Sequence, residues 1–357
     1  MSLLAKSRER VRHPTFSVFA AYHGDITSDS MVATYSRRAE DSLHEPNYGT
    51  GTLTIADEAG KYIEAGRPVF RRGAKIKLFA GFDGNNVARF SGIIRDVTMD
   101  TDQNITLTLA EEGYKLRKSR TSGDYSSYET PVKLVDQLAS LARIGEVIYE
   151  NETGPPTTKE FGDTFLELRN YWAMIHGAAL CIGYIQRFDP EGRLNLTRRT
   201  TFTDTGYVFT DSDIEYLIHK QVAELINYKA IDFVHCIRPE FTAGDGVYAG
   251  QHTRSRTDSV SKRKYGAHGD QETDELIGTW TNAGQIIDQT LDYFPYQREI
   301  YLLKMPACPL LGIAYRIFIR SEETGIAGYF IIIGVHERFS VTSYSGTYIL
   351  LSEGERF

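Results

Sequence analysis

Two His-Gly-Asp triplets, His23-Gly24-Asp25 and His268-Gly269-Asp270, each place an imidazole two residues from a carboxylate, a pairing that metal sites use. Neither falls in a ligand spacing such as HExxH, and matches this short are common by chance. Both are therefore expected to be glycine turns between polar residues, with no metal bound. His235-Cys236 brings together the side chains of a thiol nucleophile and its base. Neighbours on a strand point to opposite faces, so the two cannot act on each other, and Cys236 is expected in the core. Gly244-Asp245-Gly246 followed by Gly250 resembles a phosphate-cradling loop. The dinucleotide fingerprint is GxGxxG opening a helix; here the spacing differs and Gln251–Lys264 does not read as that helix, so a loop is expected. Carboxylates are plentiful, but nothing singles out the acid and base that a glycosidase needs. No catalytic, cofactor-binding or metal-ligating residue is assigned, and no cofactor is expected.

One local charge run stands out. Gln251–Lys264 carries Arg254, Arg256, Lys262, Arg263 and Lys264 against a single aspartate. Such a run meets a phosphate backbone or an acidic protein partner, or is simply a solvated loop, which charge runs usually are. Only two tryptophans exist, and Trp172 lies on the apolar face of a helix, which suits a core better than a sugar-stacking platform.

The elements that position these residues are mostly strands. Residues 15–118 read as an all-β domain built from Phe16–Ala21, Met31–Arg37, Gly51–Ala56, Ala74–Ala80, Val87–Val97 and Asn104–Leu109. Period-two alternation in Lys75–Phe79 and Asn104–Leu109 gives each one inward and one outward face, and the even spacing predicts a small barrel. Residues 119–205 read as a small α/β module. It opens with a polar linker over 119–128. A helix follows, with Pro131 at its first position and Leu134, Val135, Leu138 and Leu141 on one face. A second helix is predicted to start at Thr164, which has capping-box spacing to Glu167, and to carry Phe165, Leu168, Trp172, Ile175 and Ala179. Ile182–Phe188 and Arg193–Arg199 flank Asp189-Pro190-Glu191-Gly192 as a hairpin. Residues 206–357 read as a second barrel, with a polar loop at 250–275 and a helix at 282–293. Its strands are Leu225–Ile237, Glu299–Leu303, Ala314–Arg320, Tyr329–Val335 and Thr347–Ser352. The fold class expected is thus a β-rich α+β chain, with two small β-barrels around an α/β module and a basic arm at 1–14. No internal repeat of fixed period is visible, although the first and last thirds could be related.

Composition narrows the function classes. The chain has 357 residues, 41% hydrophobic and 24% charged, too apolar for disorder and long enough for two or three domains. A net charge of −7 argues against a dedicated nucleic-acid binder. The longest apolar run, Gly325–Val335, is far short of the roughly 20 residues that span a bilayer and reads as a buried strand. Three scattered cysteines, Cys181, Cys236 and Cys308, support neither a disulfide framework nor a zinc site, and suit synthesis in a reducing cytoplasm.

Taken in series, these segments resemble the tail-hub family of tailed phages, which includes baseplate hubs, the amino-terminal part of siphophage tail-tip proteins and the type VI secretion hub. Ile26–Leu43, Gly49–Asp57, the Gly66–Pro68 step, Ala74–Phe82, Arg89–Asp100 and Ile105–Leu116 are similar in order to the family's opening barrel. Tyr184–Arg199 is similar to its middle hairpin. In the last third, Ser259–His268 resembles a short strand ending in Tyr-Gly, followed by the helix at 282–293, Ala307–Ile319 and a closing hairpin over Gly328–Glu353. The chain departs from the family where many members have Asp-Val and this one has Ala314-Tyr315-Arg316. No lytic or fibre-like extension follows Phe357, so any wall enzyme is expected to be a separate protein.

The resemblance implies a non-enzymatic structural protein of the virion tail tip or baseplate. It implies a homotrimer with two barrels per subunit, six in a ring, adapting a six-fold tube to a three-fold spike or central fibre. Expected partners are the tail tube or distal tail protein, the spike or fibre and the tape-measure protein. DNA passes only transiently through the channel, and the chain does not insert into a membrane. The alternatives are a carbohydrate- or receptor-binding tail protein and a tail-associated wall or glycan hydrolase.

Overall fold

A computed structural model of the chain describes residues 13–38, 48–57, 60–119, 131–150, 170–198, 200–237, 248–273, 280–340 and 342–353. Its first nine strands are β1 (Pro14–Ala20), β2 (Gly24–Asp25), β3 (Ser30–Arg38), β4 (Thr50–Ile55), β5 (Ile63–Glu64), β6 (Arg67–Pro68), β7 (Lys75–Phe82), β8 (Asn85–Met99) and β9 (Ile105–Glu111). The six longer ones coincide with the six expected runs. Alternation explains why: on β7, Ile76 and Leu78 are buried while Lys75 and Lys77 are exposed, so one face pays the desolvated role and the other stays in water.

Helices α1 (Gly113–Lys118), α2 (Pro131–Leu141) and α3 (Tyr171–Cys181) follow, with strands β10 (Val147–Tyr149), β11 (Ile185–Phe188) and β12 (Leu194–Thr197). They form a small layer of helices and a three-stranded mixed sheet around its own core of Leu134, Leu138, Trp172, Ile175, Phe188 and Leu196. The start of α3 differs from expectation. Asn170 is extended (φ −74°, ψ 153°) and accepts from Ala173 N as the N-cap, so no helix runs through from Thr164. The Thr164/Glu167 capping box, Phe165 and Leu168 lie outside the described residues, as do most of the 1–14 arm and the 119–128 linker.

The remaining strands are β13 (Thr203–Thr210), β14 (Tyr216–Val222), β15 (Tyr228–Ile237), β16 (Tyr248–Thr257), β17 (Gly269–Thr273), β18 (Glu299–Pro306), β19 (Tyr315–Ser321), β20 (Ile326–Ser340) and β21 (Tyr344–Ser352). Two helices, α4 (Ser259–Tyr265) and α5 (Trp280–Tyr293), stand among them. The stretch 250–275, expected to be a loop, instead holds in its described part, up to Thr273, most of β16, then α4 and β17. Ser259–His268, expected as a short strand, carries α4, capped by Asp258 accepting from Ser261 N and ended at Gly266 with φ +85°. Polarity misled here because β16, β15 and β17 form a thin three-stranded sheet, with α5 supplying most of its apolar cover through Ala283, Ile286, Ile287 and Leu291.

The expected pair of small barrels is replaced by one continuous sheet. Its 13 strands run β14-β18-β21-β20-β3-β4-β9-β8-β7-β1-β2, with β19 and β13 branching from β20. Among the described residues, no ladder closes either half on itself. The seam is an antiparallel ladder from Gly334↔Arg38 to Ser340↔Val32. One core also serves both halves, Phe16, Leu53 and Leu107 packing in the same cluster as Leu303, Phe339 and Tyr348. The physical reason is the length of β20. Its first part pairs β19 and its last part pairs β3, so the strand that might close a second barrel covers the first half instead.

The two halves repeat one plan. The first has the order β3-β4-β9-β8-β7-β1 and the second β14-β18-β21-β20-β19-β13. In each, the strand beside the hairpin is 15 residues long, β8 and β20. Each long strand slips register against its hairpin-side neighbour, between Ile94 and Asp96 in β8 against β9 and between Ile332 and Gly334 in β20 against β21, and β8 has a further slip against β7 between Ala88 and Phe90. The rungs correspond too: Ala33–Leu53–Leu107–Val97 in the first half matches Leu217–Leu303–Tyr348–Val335 in the second. One ladder differs, since β1 is antiparallel to β7 while β13 is parallel to β19.

Candidate functional site

The seam between the halves holds the most heavily buried charges. Arg89 on β8 and Glu337 on β20 are 4% and 0% exposed and 2.7 Å apart. Arg89 Nε and Nη2 donate to the two carboxylate oxygens at 3.0 and 2.7 Å. Nη1 donates to Pro309 O at 2.6 Å, and Nη2 is shared with Tyr35 Oη and Leu311 O at 2.8 and 2.9 Å. Tyr344 Oη and Tyr348 Oη donate to Glu337 at 2.7 and 3.3 Å. Burial beside the Glu337 carboxylate pushes both phenols well above their usual range, so they remain donors. Four strands and the β18–β19 connection thus meet at one satisfied ion pair.

A second junction joins the sheet to the α/β module. Arg37 on β3 donates to the Glu111 carboxylate on β9, which also accepts from Gly49 N at 2.6 Å. Burial pushes the Glu111 carboxyl up from its ordinary value, against the pull of Arg37. Arg37 Nη2 continues to Asp189 O in the β11–β12 turn at 3.3 Å. That turn presses Gly192, at φ +86°, onto β8, where a Cβ would lie 2.8 Å from Ser91 Oγ.

Between these junctions lies a cavity of about 480 Å³, walled by Arg37, Glu111, Arg187, Tyr293, Leu311 and Ile331 among others. Its chemistry is poor in free acid and base. Glu111 is held by Arg37, and Asp189 accepts from Arg193 Nε at 2.6 Å. Among the described residues, no group of three His, Cys, Asp or Glu is placed to hold a metal ion.

The residues singled out from sequence scatter. The His23 ring packs on Phe70 and Tyr62, and burial lowers its pKa; Asp25 instead accepts from Thr27 Oγ1 and N. His268 Nε2 meets Tyr265 O at 3.0 Å, while Asp270 pairs with the fully buried Lys229 at 2.5 Å. His235 and Cys236 are consecutive on β15, opposite Gly250 and Ala249. Gly244, Asp245 and Gly246 lie outside the described residues, and Gly250 is in β16 rather than a loop.

The basic stretch divides. Arg256 pairs with Asp288 of α5 at 2.5 Å, and the Arg254 guanidinium lies over Gly284, where a Cβ would approach to 2.4 Å. Lys262, Arg263 and Lys264 are exposed on α4. Trp172 is 4% exposed and stacked on Phe188 at 6.0 Å, a core residue as its helical spacing implied.

Sequence reasoning missed the seam. Arg89 and Glu337 are 248 residues apart, and the only signal was a charge at an inward position of each long strand. It also missed two open strand flanks. Among the described residues β14 pairs only with β18, leaving its other edge free, with Ile218 46% and Val222 52% exposed. On the β7 side, β8 is paired only as far as Ile94, through Gly73 N to Ile94 O and Ile94 N to Ala74 O, so its end from Asp96 on is open.

No family model and no curated protein matches the sequence. Solved structures do match. A prophage MuSo2 43 kDa tail protein from Shewanella oneidensis aligns over 94% of this chain and 98% of its own, at 15% identity and TM-score 0.63. A tail protein from Neisseria meningitidis MC58 aligns over 96% and 97%, at 13% identity and TM-score 0.61. The prophage tail protein gp18 from Listeria monocytogenes EGD-e aligns over 96% and 95%, at 11% identity and TM-score 0.56. The fold is that of phage tail proteins, shared along nearly the whole length.

Proposed function

We propose that this chain is a structural subunit of a phage-type tail tip or baseplate, a non-enzymatic hub that forms a trimeric ring. The observation that carries the reading is the duplicated strand order within one sheet. Three copies present six similar units, which is what a part needs if it joins a six-fold tube to a three-fold spike or fibre. The fold shared with phage tail proteins supports the tail setting, and with it a place in the virion after synthesis in the host cytoplasm.

The burial of charge supports the structural role. The seam carboxylates are consumed by arginines, which favours a rigid wall over a reacting centre. The partners proposed are the tail tube or distal tail protein on one side, the spike or central fibre on the other, and the tape-measure protein. DNA would pass through the ring without lasting contact, in keeping with the net charge of −7.

Light scattering over a concentration series, followed by negative-stain imaging, tests this. The expected species is three times 40.3 kDa, a ring with a central hole. A stable dimer overturns the reading, and so does sustained turnover of a wall or surface-glycan substrate.

A further inference from the structure

We propose that β14 of one copy adds antiparallel to the open end of β8, Asp96–Asp100, in a neighbouring copy, repeating between chains the ladder that β3 and β20 make within one. The inference rests on the proposed ring and specifies its contact.

The argument starts from the seam. Within the chain the second half presents the end of its long strand, β20 beyond its register slip, and the first half docks β3 on it. The first half has a long strand with a matching slip, and among the described residues the end of β8 joins no ladder on that flank, although β6 comes close to β8. The second half has the counterpart of β3, and among the described residues β14 carries no strand on its outer edge. Each half therefore offers one donor and one acceptor edge, and one of each is already used. The two left over are complementary by construction. An open edge of unpaired N–H and C=O groups is a template for another strand.

The matched rungs set the register. Ala33 corresponds to Leu217, and Val97 to Val335. One rung further along, Tyr35–Gly51–Leu109–Ile94 corresponds to His219–Tyr301–Leu350–Ile332. Transferring Glu337↔Tyr35 and Val335↔Arg37 across places Met99 opposite His219 and Val97 opposite Val222, with Lys220 absorbed by the β14 register slip. Side chains agree with that placement. Met99 is 40% and Val222 52% exposed, large apolar groups left in water by the isolated chain. Charge agrees as well: Tyr216–Val222 has Lys220 and no acidic residue, while Asp96–Asp102 has three aspartates and no basic one. The contact is head-to-tail, so it forms a closed ring or an open filament, and a trimer is closure after three steps.

Paired cysteines read the register. Opposite residues on antiparallel strands have Cβ atoms about 4.5–5.5 Å apart, within disulfide reach. In one chain β14 and β8 are seven ladder steps apart in the sheet, so a cross-link joins copies. Mild oxidation of Met99→Cys/His219→Cys and of Val97→Cys/Val222→Cys is expected to give covalent trimer on denaturing gels. Each single variant supplies the background from the native cysteines. Met99→Cys/Tyr216→Cys, three residues out of register, is expected to stay at that background, since each residue is a rise of about 3.4 Å. A trimer by light scattering with neither in-register pair cross-linking overturns the pairing and leaves the ring reading standing. In-register cross-links in a species other than a trimer uphold the pairing and overturn the ring. Monomer throughout, without cross-links, overturns both.

Discussion

At the residue scale, the Arg89–Glu337 pair is where the two halves depend on each other most. Both charges are out of water, so the pair's net worth is small compared with the cost of orphaning one partner. Arg89→Met strands the Glu337 carboxylate among Tyr35, Tyr344 and Tyr348, and is expected to cost about 3–5 kcal/mol in urea unfolding. Adding Glu337→Leu removes the stranded charge and is expected to recover much of the loss. If the double variant is as unstable as the single one, lost packing rather than an unpaired charge is responsible. This pair also marks the limit of what the sequence disclosed. Period-two alternation made the strands legible, but a charge at an inward position has no readable meaning until its partner, 248 residues away, is known to face it.

At the scale of elements, turns hold the design together through glycine and aspartate. Gly192 combines φ +86° with contact to Ser91, so Gly192→Ala meets both backbone strain and a clash. The expected cost is about 1–3 kcal/mol, measured by thermal or urea unfolding. Ser91→Gly in the same chain is expected to relieve only the clash. Surface aspartates act differently. Asp100 accepts from Asn104 Nδ2, Asn104 N and Asp102 N, Asp204 from Gly206 N and Arg316, and Asp211 from the Ser321 hydroxyl first and then the amides of Glu322 and Glu323. These bonds hold each carboxyl below its ordinary value of 3.8. A carboxyl whose folded pKa is depressed lends stability that is present above the unfolded value and lost as pH falls through the folded one. The share of stability held by these aspartates is therefore expected to be flat near neutrality and to fall only below about pH 4. His23, whose pKa burial holds below 6.5, adds a smaller decline that begins as pH drops under that value; both are read from urea midpoints across pH. The hairpin turn at 189–192 was legible because Pro and Gly announce it. The β16–α4–β17 layer was not, because its apolar cover comes from α5 and its own residues are polar.

At the scale of the molecule, the decisive difference from expectation is one shared core in place of two barrels. The sequence left room for a relation between the first and last thirds but showed no repeat that could be aligned, for a physical reason. Corresponding rungs, Ala33–Leu53–Leu107–Val97 and Leu217–Leu303–Tyr348–Val335, keep register and, apart from the half-buried Val97, burial, while Ala33 and Leu217, and Leu107 and Tyr348, differ in size, so only pairing reveals them. Independent barrels would each fold alone; halves of one core would not. A chain cut to residues 1–119 loses β20 from the flank of β3, and leaves Phe16, Leu53 and Leu107 without their neighbours from the second half. It also orphans Arg89, which has no other carboxylate partner among the described residues. Such a fragment is expected to lack a cooperative thermal transition by circular dichroism, while the whole chain melts the sheet as one unit. A fragment with a sharp transition and dispersed amide resonances would restore the two-barrel description and would place the seam among docking contacts, not within the core.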